Sequence, residues 1–168
     1  MSLSQSLLPE FDNEMSNTRR VLERVPEDRM SWQPHAKSMS LARLATHLAE
    51  LPGWGANVLR QEDLDIARAR DAGYKPATVT ARADILELFD TNVRDIRALI
   101  EEADDAALTA PWALRRGDRV LFKQPRIAAL RSMLLSHMTH HRGQLTVYLR
   151  LNDVPLPPIY GPTADEAF

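Results

Sequence analysis

Three histidines fall where their rings can meet: His47, His137 and His141. The second and third are four residues apart in the run Ser-His-Met-Thr-His-His-Arg-Gly-Gln, a spacing that stacks two side chains on one face of a helix. His140 diverges from His141 by about 100° around a helical axis, so the two cannot serve one point equally. His137 and His141 continue an apolar stripe, whereas His140 lines up with Met133 and Val147 beside it. His47 lies in a second stripe with Leu44, Leu51 and Trp54. Three inward imidazoles with coordination positions left over form the pattern of a catalytic divalent-metal site. The plainer alternative is a set of core histidines satisfied by hydrogen bonds, in which each ring needs its own partner. No histidine follows a Glu by three residues, which disfavours a di-iron carboxylate centre, and no Cys-x-x-Cys-His motif exists to attach a haem.

The elements that must position these rings can be read from the prolines. Pro26 and Pro34, Pro76, Pro111 and Pro125, and the group from Pro155 to Pro162 mark gaps, because proline in a helix interior costs about 3 kcal/mol. Four helical intervals remain, near residues 3–24, 40–60, 81–101 and 126–151. Each carries a stripe at three-four spacing: Leu7, Phe11, Glu14, Thr18, Val21; Leu44, His47, Leu51, Trp54, Val58; Ile85, Phe89, Asn92, Ile96, Leu99; and Leu130, Leu134, His137, His141, Gln144, Tyr148, Leu151. Ser40 fits an N-cap, and Pro52 is expected to kink the second helix. The expected fold is all-α, a four-helix bundle in one domain over residues 1–168. Between Pro111 and Pro125, a Gly-Asp pair between short apolar runs fits either a small hairpin or an irregular segment. The tail after Leu151 reads as an extended strap or a partly disordered end.

Composition removes several functions. The chain has 168 residues, 44% hydrophobic and 26% charged, with a formal net charge of −2 and its arginines interleaved with acids, so no concentrated basic face for nucleic acid is expected. It has 0 cysteines, which excludes disulfides, cysteine-ligated zinc and a protein thiol nucleophile. Any thiol chemistry needs a thiol brought on a small molecule. The N-terminus lacks the basic region and apolar run of a signal peptide, and no stretch approaches the roughly 20 apolar residues of a membrane span, so a cytoplasmic protein is expected.

The run His137-Met-Thr-His-His-Arg-Gly-Gln-Leu, the segment Leu44-Ala-Thr-His-Leu-Ala-Glu-Leu-Pro-Gly-Trp and Asn17-Thr-Arg-Arg-Val-Leu together resemble the DinB-like (DinB/YfiT) superfamily of bacterial four-helix metalloproteins, over about Leu7 to Leu151. In that family the ligands are one histidine of the second helix and two of the last, which match His47, His137 and His141. The resemblance also implies a homodimer, zinc or nickel as the metal, and relatives that transfer low-molecular-weight thiols to electrophiles or isomerise substrates with a thiol.

A divalent ion on three neutral imidazoles lowers the pKa of a bound water to about 7 or holds a thiol as thiolate. The expected activity is therefore thiol transfer to an electrophilic small molecule. The rivals are a hydrolase of the same fold and a non-catalytic metal-binding stress-response bundle. Glu14 and Gln144, on inward stripes, are candidates to orient a ligand ring or a bound water, with Asn92 a weaker one. Arg142 is expected off the stripe, in a surface or dimer-contact ion pair. Trp54 is the best candidate for a pocket wall, Trp32 and Trp112 are read as core or pocket wall, and His35, beside Pro34, is expected to play no part.

Overall fold

The structure, a computed structural model, describes residues 1–73 and 75–167. Helix α1 (Leu3–Leu22) starts at a capping box: Ser2 accepts from the Gln5 backbone, and the Gln5 side chain accepts from the Ser2 backbone. Helix α2 (Leu41–Arg60) starts at Ser40, whose hydroxyl accepts from Arg43 N at 3.2 Å. It runs on through Pro52. That ring removes the bond to Leu48. The carbonyl of Ala49, next along, also accepts from the Asn92 side chain at 2.9 Å. Asn92 thus braces the proline-interrupted turn from helix α4 (Arg82–Glu102). After the short helix α5 (Asp105–Thr109), the last long helical stretch comprises α6 (Arg126–Ala129), a π-helical segment (Leu130–Ser136) and α7 (His137–Leu151).

These long stretches share one core, in which Leu7, Phe11, Leu44, Leu51, Phe89 and Leu134 are at most 1% exposed. Gly55 sets one close approach: a Cβ there would lie 2.7 Å from Leu134 Cδ2. No helix among the described residues is long and apolar enough to cross a membrane.

The fold is mostly helical but not strictly all-α. A three-stranded sheet, ordered β1-β2-β3, comprises β1 (Asp63–Asp65), β2 (Pro111–Arg116) and β3 (Arg119–Pro125). The Gly-Asp pair makes the hairpin between β2 and β3, with Gly117 at φ 58°, the region glycine enters without strain. Strand β1 pairs parallel with β2 and has no counterpart in the sequence reading, since three residues show no alternation. Asp65 joins the parts: its carboxylate caps the short helix α3 (Ile66–Asp71) and accepts from Gly117 N at 3.0 Å. Trp112 is buried against Phe122.

Two expectations for the last helix need correction. The stripe through Gln144 and Leu151 is not the buried one: Gln144 is exposed and Leu151 is 59% exposed, while Met138, Arg142, Leu145 and Leu149 are buried. A π-helical turn takes more residues than an α-turn, so the buried face advances by about one position beyond it. The same shift moves Arg142 from its expected surface position to 1% exposure.

Arg142 is fully engaged there. It donates to the Glu14 carbonyl and the Thr18 hydroxyl at 3.1 Å each and to the Glu14 carboxylate at 2.6 Å. It also bonds the Tyr160 hydroxyl, which itself donates to Glu14 at 2.7 Å. α1, α7 and the C-terminal strap meet at this cation. The strap is pinned again where Asp165 takes Arg150 and Leu156 N, and where Glu166 takes Arg24. Truncating Arg142 would leave Glu14 largely buried without its cation. Arg142→Ala is expected to cost about 3 kcal/mol or more in urea denaturation, and a smaller loss when Glu14→Gln is already present would show the coupling.

Candidate functional site

His47 comes from the middle of α2, and His137 and His141 from the first and second turns of α7. His141 Nε2 lies 2.9 Å from His137 Nε2, which lies 3.4 Å from His47 Nε2. The three ligand atoms all fall within 4.8 Å of one another. Nitrogens bound tetrahedrally at zinc-like bond lengths sit about 3.3 Å apart, so these separations are close to those of a shared ion. Among the described residues, no fourth His, Asp or Glu joins the group. His140 stays exposed beside it, with its ring 4.8 Å from that of His141. His35 is exposed in its loop, accepting from Lys37 N.

The far side of each ring is also placed. His141 Nδ1 meets Gln144 Oε1 at 2.7 Å, one helical turn on. The His137 ring bonds the backbone of Met133, a contact that favours the protonated ring and so is made to the carbonyl. His47 Nδ1 is buried with no hydrogen bond and lies 3.8 Å from Glu50 Oε2. Glu50 in turn takes Arg43 at 2.8 Å. Burial opposes the Glu50 charge, but contacts with His47, Arg43 and the Ala77 backbone outweigh it and hold its pKa below the usual glutamate value.

Two of the sequence candidates therefore part company. Gln144, though exposed, does touch a histidine of the cluster. Glu14 does not, and belongs to the Arg142 network with Thr139 and Tyr160. Asn92 touches backbone only, at Ala49. Glu50 was missed, although its signal was present: it follows His47 by three residues, as Gln144 follows His141. The Met133 carbonyl carried no signal in its side chain.

These partners test whether an ion fits. A hydrogen on His141 Nδ1 for Gln144 leaves Nε2 with a bare lone pair, and the Met133 bond does the same for His137. Two lone pairs 2.9 Å apart repel unless a cation or proton lies between them. Burial disfavours the proton: it is the main cause that lowers His137 and takes His141 to about 4, with neighbouring histidines adding to it. A divalent cation suits the donor set better, and neutral imidazoles at pH 7 need lose no proton to bind it.

Beyond the cluster, the Trp54 ring stands edge-on to His47 with centroids 5.7 Å apart and forms one wall of a cleft of about 730 Å³. Trp32 packs edge-on to Tyr148. Trp112 is core.

The depressed His141 pKa has a consequence for the metal-free protein. Unfolded histidine takes its proton near pH 6.5, whereas folded His141 refuses it until about 4. Between those values the unfolded state binds more protons, so stability falls as pH falls. The urea midpoint of the metal-free protein is expected to drop from about pH 7 to pH 4.5, and His141→Gln to show a shallower drop; equal slopes would contradict the assignment.

Comparison with known proteins extends the match beyond the site. The family model described as the DinB superfamily matches residues 10–145. The uncharacterized protein YrdA of Bacillus subtilis (strain 168) is 23% identical over 162 residues, covering 95% of this chain and 89% of YrdA. A crystal structure of a DinB-like protein of Bacillus subtilis (YjoA) is similar with a TM-score of 0.71 at 23% identity, covering 92% of this chain and 97% of that one. Another, of a DinB-like protein from Bacillus cereus ATCC 10987, gives 0.68 at 22% identity, covering 93% and 97%. With the family model spanning most of its length, the chain belongs to the DinB superfamily.

Proposed function

We propose that this protein is a divalent-metal-dependent enzyme, built as a four-helix bundle, that transfers a low-molecular-weight thiol to an electrophilic small molecule. The observation that carries the metal-dependent part is the convergence of three buried or half-buried imidazoles, whose ligand nitrogens all lie within 4.8 Å of one another. His47, His137 and His141 would hold the ion. A divalent ion bound there supplies Lewis acidity, which makes a thiol or a water molecule nucleophilic at neutral pH. The preference for a thiol is supported by the absence of cysteine from the chain, which leaves the nucleophile to a co-substrate, and by the resemblance of the histidine motifs to those of thiol-using relatives.

The protein's own groups then have separable tasks. Gln144 and the Met133 carbonyl fix the tautomers of His141 and His137. Glu50, held by Arg43, places a negative charge behind His47 and favours its donation of electron density. Trp54 packs edge-on against His47 and forms a wall of the adjoining cleft.

The test begins with elemental analysis of untagged protein. Wild type is expected to carry about one equivalent of zinc or nickel, His137→Ala almost none, and His140→Ala nearly the wild-type content. Glu50→Gln is expected to keep the metal but bind it about 10- to 100-fold more weakly. Wild type should then consume a small thiol in the presence of an alkyl halide or epoxide, with His137→Ala inactive. No metal in wild type, even after zinc or nickel is added, would end the metal-dependent reading. Metal with thiol-independent ester cleavage would move the assignment to hydrolysis.

A further inference from the structure

The cleft beside the histidines is lined by residues of two chemistries. Trp54, Leu64, Ile66, Leu114 and Met133 give it an apolar lining, and its size suits a small organic molecule. Two of these residues also touch the histidine cluster: Trp54 packs on His47, and the Met133 backbone bonds His137. The cleft is thus one side chain away from the point where the three imidazoles meet. Arg70 and Lys75 also line it, and both are exposed. Neither side chain has an acidic partner among the described residues. Nearby arginines do pair: Arg60 with Asp95, and Arg115 with Asp63. An apolar lining that also carries two uncompensated cations complements a molecule with an apolar body and an anionic end.

We propose that this cleft binds the organic co-substrate, and that the co-substrate is an apolar molecule bearing a carboxylate, held at that end by Arg70 and Lys75 with its body against Trp54 and Met133. That the ligand is a co-substrate rests on the metal-dependent reading above. The preference of the cleft for an apolar carboxylate does not, because neither cation belongs to the histidine cluster.

Octanoate and 1-octanol share a body and differ in charge, so titration calorimetry with these two probes tests the claim. In the full-length wild type, octanoate is expected to bind about five- to tenfold more tightly than octanol. His137→Ala, which removes the metal, should keep that preference. Arg70→Gln combined with Lys75→Gln, both at exposed positions, should abolish it while leaving octanol binding unchanged. Equal affinity for the two probes in wild type would overturn the proposal, as would a preference that survives the double substitution. A preference that disappears in His137→Ala with both cations intact would place the carboxylate on the metal, overturning the role of Arg70 and Lys75 while supporting the metal centre. If elemental analysis finds no metal but the octanoate preference follows the two cations, the cleft assignment stands and only the metal-dependent reading fails.

Discussion

Three imidazoles whose ring nitrogens lie within 4.8 Å of one another in a partly dry interior form an arrangement that a chain left to itself would avoid. Much of the surrounding architecture holds that arrangement in place. α2 and the last helix have to approach closely, and Gly55 opens the room that Leu134 fills. α2 carries a proline one turn beyond its histidine, and Asn92 of α4 braces the turn before it. Each far ring nitrogen faces a separate acceptor: an amide oxygen, a backbone carbonyl and, at longer range, a carboxylate. Each contact favours one orientation of its ring.

The second concentration of polarity in the core is Arg142, next in sequence to His141 but facing the other way. Its bonds reach the end of one turn of α1 and, through Tyr160, the C-terminal strap. α7 therefore presents imidazole on one side toward α2 and guanidinium on the other toward α1. The two networks share a helix but no side chain, which keeps the buried positive charge of Arg142 off the ring nitrogens. A cation placed directly against them would compete with a metal ion for the same electron density.

The histidine set was legible in the sequence because it depends on helical period, which the prolines delimit and the apolar stripes display. The three stripes of α1, α2 and α4 are buried much as their spacing implies: Phe11, Leu51 and Phe89 each lie at the centre of their face. The stripe of the last helix was not reliable past Leu134, because i-to-i+5 bonding leaves no mark in residue type. That one unseen turn accounts for both the misplaced Arg142 and the misjudged exposure of Gln144. Strand β1 was invisible for a different reason: Asp-Leu-Asp pairs with Ala113 to Arg115 only because the hairpin is already there. Glu50 left a mark in the sequence that the helical stripes do not display, since it follows His47 by three residues and stands off the apolar face.

The π-helical segment from Leu130 to Ser136 makes the length of the chain, as well as its composition, a determinant of the site. Closing the same residues into regular α-turns, with none removed, would rotate everything after the segment by about 100°. The apolar stripe through His137, Gln144, Tyr148 and Leu151, the one the sequence displays, would then face inward, and Arg142 would swing away from Glu14 toward solvent. Such a protein would keep every residue and a plausible core. The segment acts as a phase setting for the last helix: one extra residue in its turns brings Arg142 inward and puts the displayed stripe one position out of step.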